Sequence, residues 1–224
     1  MWIDDEILGQ CHQDLVVKAW TTNQTLVVLG ASNDPSLEVD VESCAQDNIQ
    51  ILRRYGGGGT VVLYDGCAIL SIGCWVRQHF NNSFYFDLVN RSVIASLAEN
   101  WPSLHGLSQR GLSDIVFGDL KVAGTSLFRS RNYLLYQASI LVDCEPARIA
   151  RYLKHPSREP DYRKGRDHDS FLTGLSSIEP LATVSGCVEH LSKTTAAKMM
   201  EFMEGELAVS MPEQWSALRR RAGL

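Results

Sequence analysis

Hydrophobic residues recur at two different periods along this chain, and each period predicts its own elements. Residues 15–20 (LVVKAW) and 25–30 (TLVVLG) are rich in apolar and β-branched side chains, and each predicts a strand. Residues 21–24 between them predict a hairpin or a short connection. Residues 7–11 predict a short N-terminal helix, and residues 41–48 (VESCAQDN) a second one. Strands are predicted over 49–55 (IQILRRY) and within 60–76 (TVVLYDGCAILSIGCWV), on either side of a run of four glycines. The period then changes. Val89, Val93 and Leu97, with Ile94, Ala98 and Trp101, recur at steps of three and four, which predicts an amphipathic helix over 84–101. Residues 113–142 predict three strands, turned first at Gly118 and Asp119 and again at 129–132. A helix over 145–153 (EPARIARYL) and a polar loop over 154–170, rich in Pro, Arg and Asp, come next. The last predicted helix covers 192–209, with Ser192 as its N-cap and Met199, Met203 and Leu207 on one face. No repeat or low-complexity linker divides the chain. The simplest arrangement is one mixed α/β (α+β) domain over residues 1–224, with a largely antiparallel central sheet flanked by helices.

Composition narrows the function classes. The chain has 224 residues, of which 45% are hydrophobic and 21% charged, enough for a proper core. Its formal net charge of -5 argues against nucleic acid as a partner. No apolar run has the length of a membrane span, and the acidic start MWIDDEILGQ lacks the shape of a signal peptide. The expectation is a cytoplasmic protein without a membrane partner. The six cysteines are scattered without a CxxC pair, so they predict buried hydrophobes and not a zinc site or a disulfide framework.

Two stretches carry candidate chemistry. In RRYGGGGT (53–60), four successive glycines discard side chains over a whole loop. Each costs entropy on folding, and the usual return is close approach of backbone to a ligand. No Gly-Lys-Ser/Thr follows, so this is not a Walker loop, and the strand after it excludes a dinucleotide fingerprint. A glycine loop between strands lays backbone N–H groups over a ligand, and Arg53 and Arg54 beside it suit a phosphate or carboxylate. The second stretch is SDIVFGDLKVAGTS (113–126). Lys121 stands mid-strand shortly before Gly124, and a strand glycine marks close approach of a ligand or of another backbone. Asp114 upstream suits either a magnesium ion or the lysine itself.

Three segments together resemble the lipoate–protein ligase family, whose catalytic fold is shared with biotin protein ligases. Residues 26–62 resemble its strand, loop, helix and Arg-Arg-x-Ser-Gly-Gly-Gly-Ala-Val motif. Residues 113–143 are similar to its Asn-Asp … Gly-x-(Lys/Arg)-Lys-(Val/Ile)-x-Gly-(Ser/Asn) segment and the following His-Gly strand, and residues 149–175 to the helix and loop beyond. The resemblance implies activation of lipoate, or octanoate, with ATP and magnesium to the acyl-adenylate, then transfer to a lysine of an apo lipoyl-carrier domain. It implies a catalytic role for Lys121 at the carboxylate and α-phosphate. It places Arg54, Gly57, Gly58, Gly59, Thr60 and Gly124 at the acyl substrate, with backbone donors from the glycine loop, and Asp114 at ATP and magnesium. Trp20, Val28, Val61 and Val62 are candidates to line an acyl tunnel.

Several positions depart from the family pattern. Gly56 replaces its serine, Leu63 and Tyr64 its His-Asp, Cys67 and Ser113 two asparagines, and Gln137 and Ala138 its His-Gly. These leave two other readings open: an octanoyl or lipoyl transferase taking a carrier-bound acyl group, with Cys67 as the better thiol candidate over Cys144, and a non-catalytic paralogue that binds a lipoyl domain. The chain has no room for the C-terminal accessory domain of longer ligases, so a separate accessory protein is a candidate partner. Arg163, Lys164 and Arg166 in the polar loop are candidates to face an acidic carrier.

Overall fold

The computed structural model describes residues 3–78, 81–156 and 158–222. Nine strands form among the described residues: β1 Leu15–Trp20, β2 Leu26–Leu29, β3 Gln50–Arg53, β4 Val61–Leu63, β5 Cys67–Trp75, β6 Leu107–Arg110, β7 Asp114–Phe117, β8 Leu120–Ser130 and β9 Tyr133–Leu141. They divide into a six-stranded sheet of order β1-β5-β9-β8-β7-β6 and a three-stranded sheet of order β3-β2-β4. The large sheet is antiparallel throughout; the small one is mixed, since β2 runs parallel to β3 and antiparallel to β4. Residues 21–24 are therefore a short connection between sheets, not a hairpin.

The helices are α1 Asp5–Leu8, α2 Pro35–Glu38, α3 Val41–Gln46, α4 Asn82–Asn100, α5 Pro146–Tyr152, α6 His168–Phe171, α7 Val184–Phe202 and α8 Pro212–Ala222. Among the described residues none is long and apolar enough to cross a membrane. α4 forms as its periodicity predicts, and the Asn81 side chain caps it by accepting from the Phe84 N–H. α1 starts earlier than 7–11. α7 starts eight residues before Ser192, with Thr183 as its cap, and stops before Leu207. Ser192 is thus a mid-helix residue, while Met199 and Met203 are fully buried as expected.

Side-chain alternation in β5 and β9 gives the large sheet two different faces. Leu70, Ile72 and Cys74 of β5, with Tyr136 and Ile140 of β9, pack against Val89, Val93 and Leu97 of α4 and against Leu191 and Met199 of α7. Truncating one of these aliphatic side chains to alanine costs about 2–5 kcal/mol. The Tyr136 hydroxyl donates to Asn90 Oδ1 at 2.7 Å, so this polar tip is satisfied inside the layer. On the opposite face Cys67, Ile69 and Leu141 pack under Val27, Val62 and Leu63 of the small sheet. A cavity remains between the two sheets.

Candidate active site

The glycine loop owes its shape to the order of the small sheet. β3 and β4 flank β2 on opposite sides, so residues 54–60 cross the C-terminal end of β2 to change edges. Backbone approach there is close: a Cβ built on Gly30, just beyond β2, would collide with the Gly58 carbonyl oxygen. Gly58 itself has φ +92, a conformation that glycine takes without strain.

All four glycine carbonyls are held from the protein side. Gly56 O accepts from the Ala31 N–H at 2.9 Å. Gly57 O and Gly59 O accept from Arg54 Nη2 at 2.8 and 2.7 Å, and Gly58 O from Asn33 Nδ2 at 3.1 Å. Among the described residues nothing accepts from the N–H groups of Gly57, Gly58 and Gly59. The loop is a set of oriented peptides with its acceptors tied and its donors free, which suits an oxygen-bearing ligand. Thr60 differs from the expectation: its N–H and hydroxyl both donate to Glu38 Oε2, at 3.3 and 2.9 Å.

Both arginines brace the backbone around the loop. Arg54 is 6% exposed, and burial pulls its pKa down to about 10. Its guanidinium spans the inside of the loop. Arg53 Nη1 donates to the carbonyls of Gly30, Ala31 and Asn33. The sequence suggested that both guanidinium groups face a ligand; in the structure Arg54 Nη2 and Arg53 Nη1 are instead spent on backbone carbonyls.

The second half of the site comes from β7 and β8. Ile115 faces Ala123 but Val116 faces Lys121, so Val122 is an extra residue in β8, a bulge. Lys121 is anchored from outside, where the Thr173 N–H donates to its carbonyl at 3.0 Å. Its side chain runs over Gly124: a Cβ there would stand 3.2 Å from Lys121 Nζ. The ammonium lies 2.7 Å from Asp114 Oδ1, and the Tyr162 hydroxyl donates to Asp114 Oδ2 at 2.8 Å. Of the two partners foreseen for Asp114, the structure shows the lysine.

Lys121, Asp114, Gly124, Gly58, Gly59 and Thr60 all line the cavity between the sheets, as does Arg54, while Gly57 stands outside its wall. Trp20, Val28 and Val61, with Leu63 and Ile69, supply an apolar end. Val62 points the other way, into the core of the small sheet. One cavity thus joins free backbone donors, a single ammonium and an apolar recess.

The model of the lipoyl protein ligase A/B catalytic domain matches residues 2–199. The chain belongs to that family. Schizosaccharomyces pombe "Putative lipoate-protein ligase A" is 26% identical over 136 residues, which are 61% of this chain but only 36% of that protein. The fold is that of solved ligases. A bipartite lipoate protein ligase from Thermoplasma acidophilum, studied with its E2 lipoyl domain, superposes with a TM-score of 0.69 at 15% identity, covering 99% of this chain and 89% of its own. A lipoate-protein ligase A bound with ATP also gives 0.69, at 18% identity, covering 97% and 85%.

Within this family the departures of the chain have structural reasons. A side chain at Gly56 would meet Ser126 Oγ at 2.9 Å, so Ser126 fills the space that the motif's serine needs. Tyr64 is fully buried, and its hydroxyl donates to Asp143 O and accepts from the Glu145 N–H. Gln137 donates from Nε2 to Oδ1 of Asp4, a fully buried carboxyl whose pKa is raised by burial. Cys67 is fully buried with its thiol pushed up to about 12, and burial pushes Cys144 up to about 11. Neither lines the cavity, so neither matches a reactive thiolate. Arg163 and Arg166 fold their own loop: Arg163 is buried against Phe171, and Arg166 donates to the carbonyls of Tyr162, Asp119 and Ser170. Of the basic residues proposed to meet a carrier, only Lys164 is exposed.

Among the described residues no group of three or more His, Cys, Asp or Glu side chains comes together to hold a metal ion. Asp114 is the one carboxylate at the cavity, and both its oxygens have partners. A magnesium ion bound with a nucleotide would draw mainly on phosphate and water, with Asp114 as the one carboxylate lining the cavity.

Proposed function

We propose that this chain is a lipoate–protein ligase, which activates lipoate with ATP to lipoyl-adenylate and passes the lipoyl group to a lysine of an apo lipoyl-carrier domain. The observation that carries the reading is a single cavity lined by Lys121 and by Gly58 and Gly59, whose N–H groups have no acceptor among the described residues. In the first step a lipoate carboxylate oxygen attacks the α-phosphorus and pyrophosphate leaves. Lys121 lies at the oxygens that carry the charge, and the glycine amides hold the acyl end. In the second step the carrier amine attacks the acyl carbon and AMP leaves. Negative charge then builds on the acyl oxygen, where a fixed ammonium in a partly dry site counts most. The apolar recess formed by Trp20, Val28, Val61, Leu63 and Ile69 takes the hydrocarbon and dithiolane part.

In this scheme Asp114 would hold a magnesium ion that offsets the nucleotide's phosphate charge, the cytoplasm is the compartment, and a separate accessory protein is a candidate partner. The buried thiols weigh against the transferase reading, which would use a nucleophilic cysteine. The test is incubation with lipoate, ATP, magnesium and a panel of apo lipoyl domains, with the adduct followed by mass and ATP–pyrophosphate exchange run beside it. Exchange together with a lipoyl adduct supports the ligase. An adduct formed only from an acylated carrier protein, without exchange, would replace it with the transferase. Binding without either reaction would leave a carrier-binding paralogue.

A further inference from the structure

We propose that Tyr162 is a positioning residue that fixes the place of the Lys121 ammonium by acting through Asp114; this rests on the role of Lys121 given above. Tyr162 comes from the polar loop, 48 residues from Asp114 in sequence, yet its hydroxyl meets Asp114 Oδ2 at 2.8 Å in a buried contact. Asp114 Oδ1 in turn meets Lys121 Nζ at 2.7 Å. A lysine stem has four rotatable bonds and does not fix its own ammonium. Among the described residues Asp114 is the only acceptor paired with it. The direction of Oδ1 therefore decides where the charge stands, and a donor held on Oδ2 sets the plane of the carboxylate.

The phenol is itself held on several sides. Tyr162 is 8% exposed, with the Arg110 guanidinium 4.8 Å from its ring centre and the Phe171 ring at 5.3 Å. Arg166 Nη2 donates to its carbonyl at 2.9 Å. Arg110 is in turn paired with Asp119 in the β7–β8 turn, two residues before Lys121. Burial, and then the charge of Asp114, raise the phenol's pKa, so it remains a donor throughout the neutral range. Without the hydroxyl both oxygens of Asp114 are open to one ammonium, and its place over Gly124 is no longer unique. Binding of the acyl substrate, which depends on the glycine loop, is unaffected.

The experiment compares wild type with Tyr162→Phe in lipoyl transfer to an apo lipoyl domain. Phenylalanine keeps the ring between Arg110 and Phe171 and removes only the donor. The expected result is a fall of about tenfold in kcat with KM for lipoate unchanged. In an Asp114→Asn background the same change should cost nothing further, because the effect passes through that carboxylate. 3-Fluorotyrosine at position 162 keeps ring and hydroxyl and should keep the wild-type kcat, which guards against a loss that comes only from packing. Wild-type kcat for Tyr162→Phe, a full additional loss in the Asp114→Asn background, or failure of the fluorotyrosine protein would each overturn the proposal. Lys121→Ala run in parallel separates the two levels. If it is inactive while Tyr162→Phe is normal, only the role of Tyr162 falls; if it transfers normally, the reading of the lysine falls as well.

Discussion

Replacing Lys121 with alanine removes the ammonium and also leaves Asp114 without its cation, and the two effects can be measured apart. The Lys121 and Asp114 side chains are 24% and 10% exposed, so the pair is only partly screened by water. A hydrogen bond to a charged group contributes roughly 1.5–3 kcal/mol, and partial exposure puts this one near the lower end, about 1–2 kcal/mol. For a chain of this length that is a fall of about 2–8 °C in Tm. Asp114→Asn introduced with Lys121→Ala removes the stranded carboxylate and should restore most of that loss. Catalysis should not recover. Loss of a charge partner for a developing oxyanion costs about 3–4 kcal/mol, roughly two to three orders of magnitude in rate. The assay is single-turnover transfer from preformed lipoyl-adenylate to an apo lipoyl domain, read by mass, beside a thermal melt. Wild-type transfer by Lys121→Ala, or recovery of transfer in the double variant, would refute the reasoning.

Other positions separate ligand contact from folding in the same way. A Cβ on Gly59 meets nothing within 4 Å, so Gly59→Ala should weaken lipoate binding several-fold by calorimetry while the melt stays unchanged. Gly58→Ala forces a side chain into φ +92 and within 3.3 Å of Arg54 Nη2, and should cost about 1–2 kcal/mol of stability in denaturant. Cys67→Ser should transfer at the wild-type rate, and Cys67 should resist iodoacetamide at pH 8 in the folded protein, because its thiol is pushed up to about 12. Asp4 has its pKa raised by burial, so the folded state holds the proton more tightly than the unfolded chain. Stability relative to Asp4→Asn should fall as pH rises from about 3.9 through the raised folded value, measured by denaturant midpoints; a difference that is flat or grows with pH would contradict it.

The elements with a strong period were legible in the sequence: α4, the β4–β5 region and the strands of 113–142 lie where the pattern puts them. Sheet membership was not. β1 and β2 are equally apolar, and nothing local says that one joins the large sheet and the other the small one. β6 was missed because Leu-Ser-Gln-Arg is short and mostly polar. The first half of α7 was hidden by Gly186, a poor helix former where a Cβ would stand 3.0 Å from the hydroxyl of the capping Thr183. α8, with three successive arginines and few apolar positions, has a weak periodic signal, and the sequence pattern predicts no element there. At the site, residue types pointed to the glycine loop and to Lys121, and the cavity brings them together. Sequence could not tell that Arg54 turns its donors inward, because a buried arginine and a ligand arginine look the same on paper. Tyr162 gave no signal at all, since its partner is distant in sequence and its surroundings read as solvated loop.

The glycine loop acts like a valve for polarity. Each of its four carbonyls already accepts from the protein while the N–H groups of Gly57, Gly58 and Gly59 have no acceptor among the described residues, so the loop favours electron-rich atoms over hydrogen-bond donors. A carboxylate or acyl oxygen is welcome along that side, whereas a protonated amine finds no acceptor there. Under the ligase proposal the attacking amine is expected from the other wall, past Asp114 and the β7–β8 turn, so that the two reactants are sorted by the sign of what they offer.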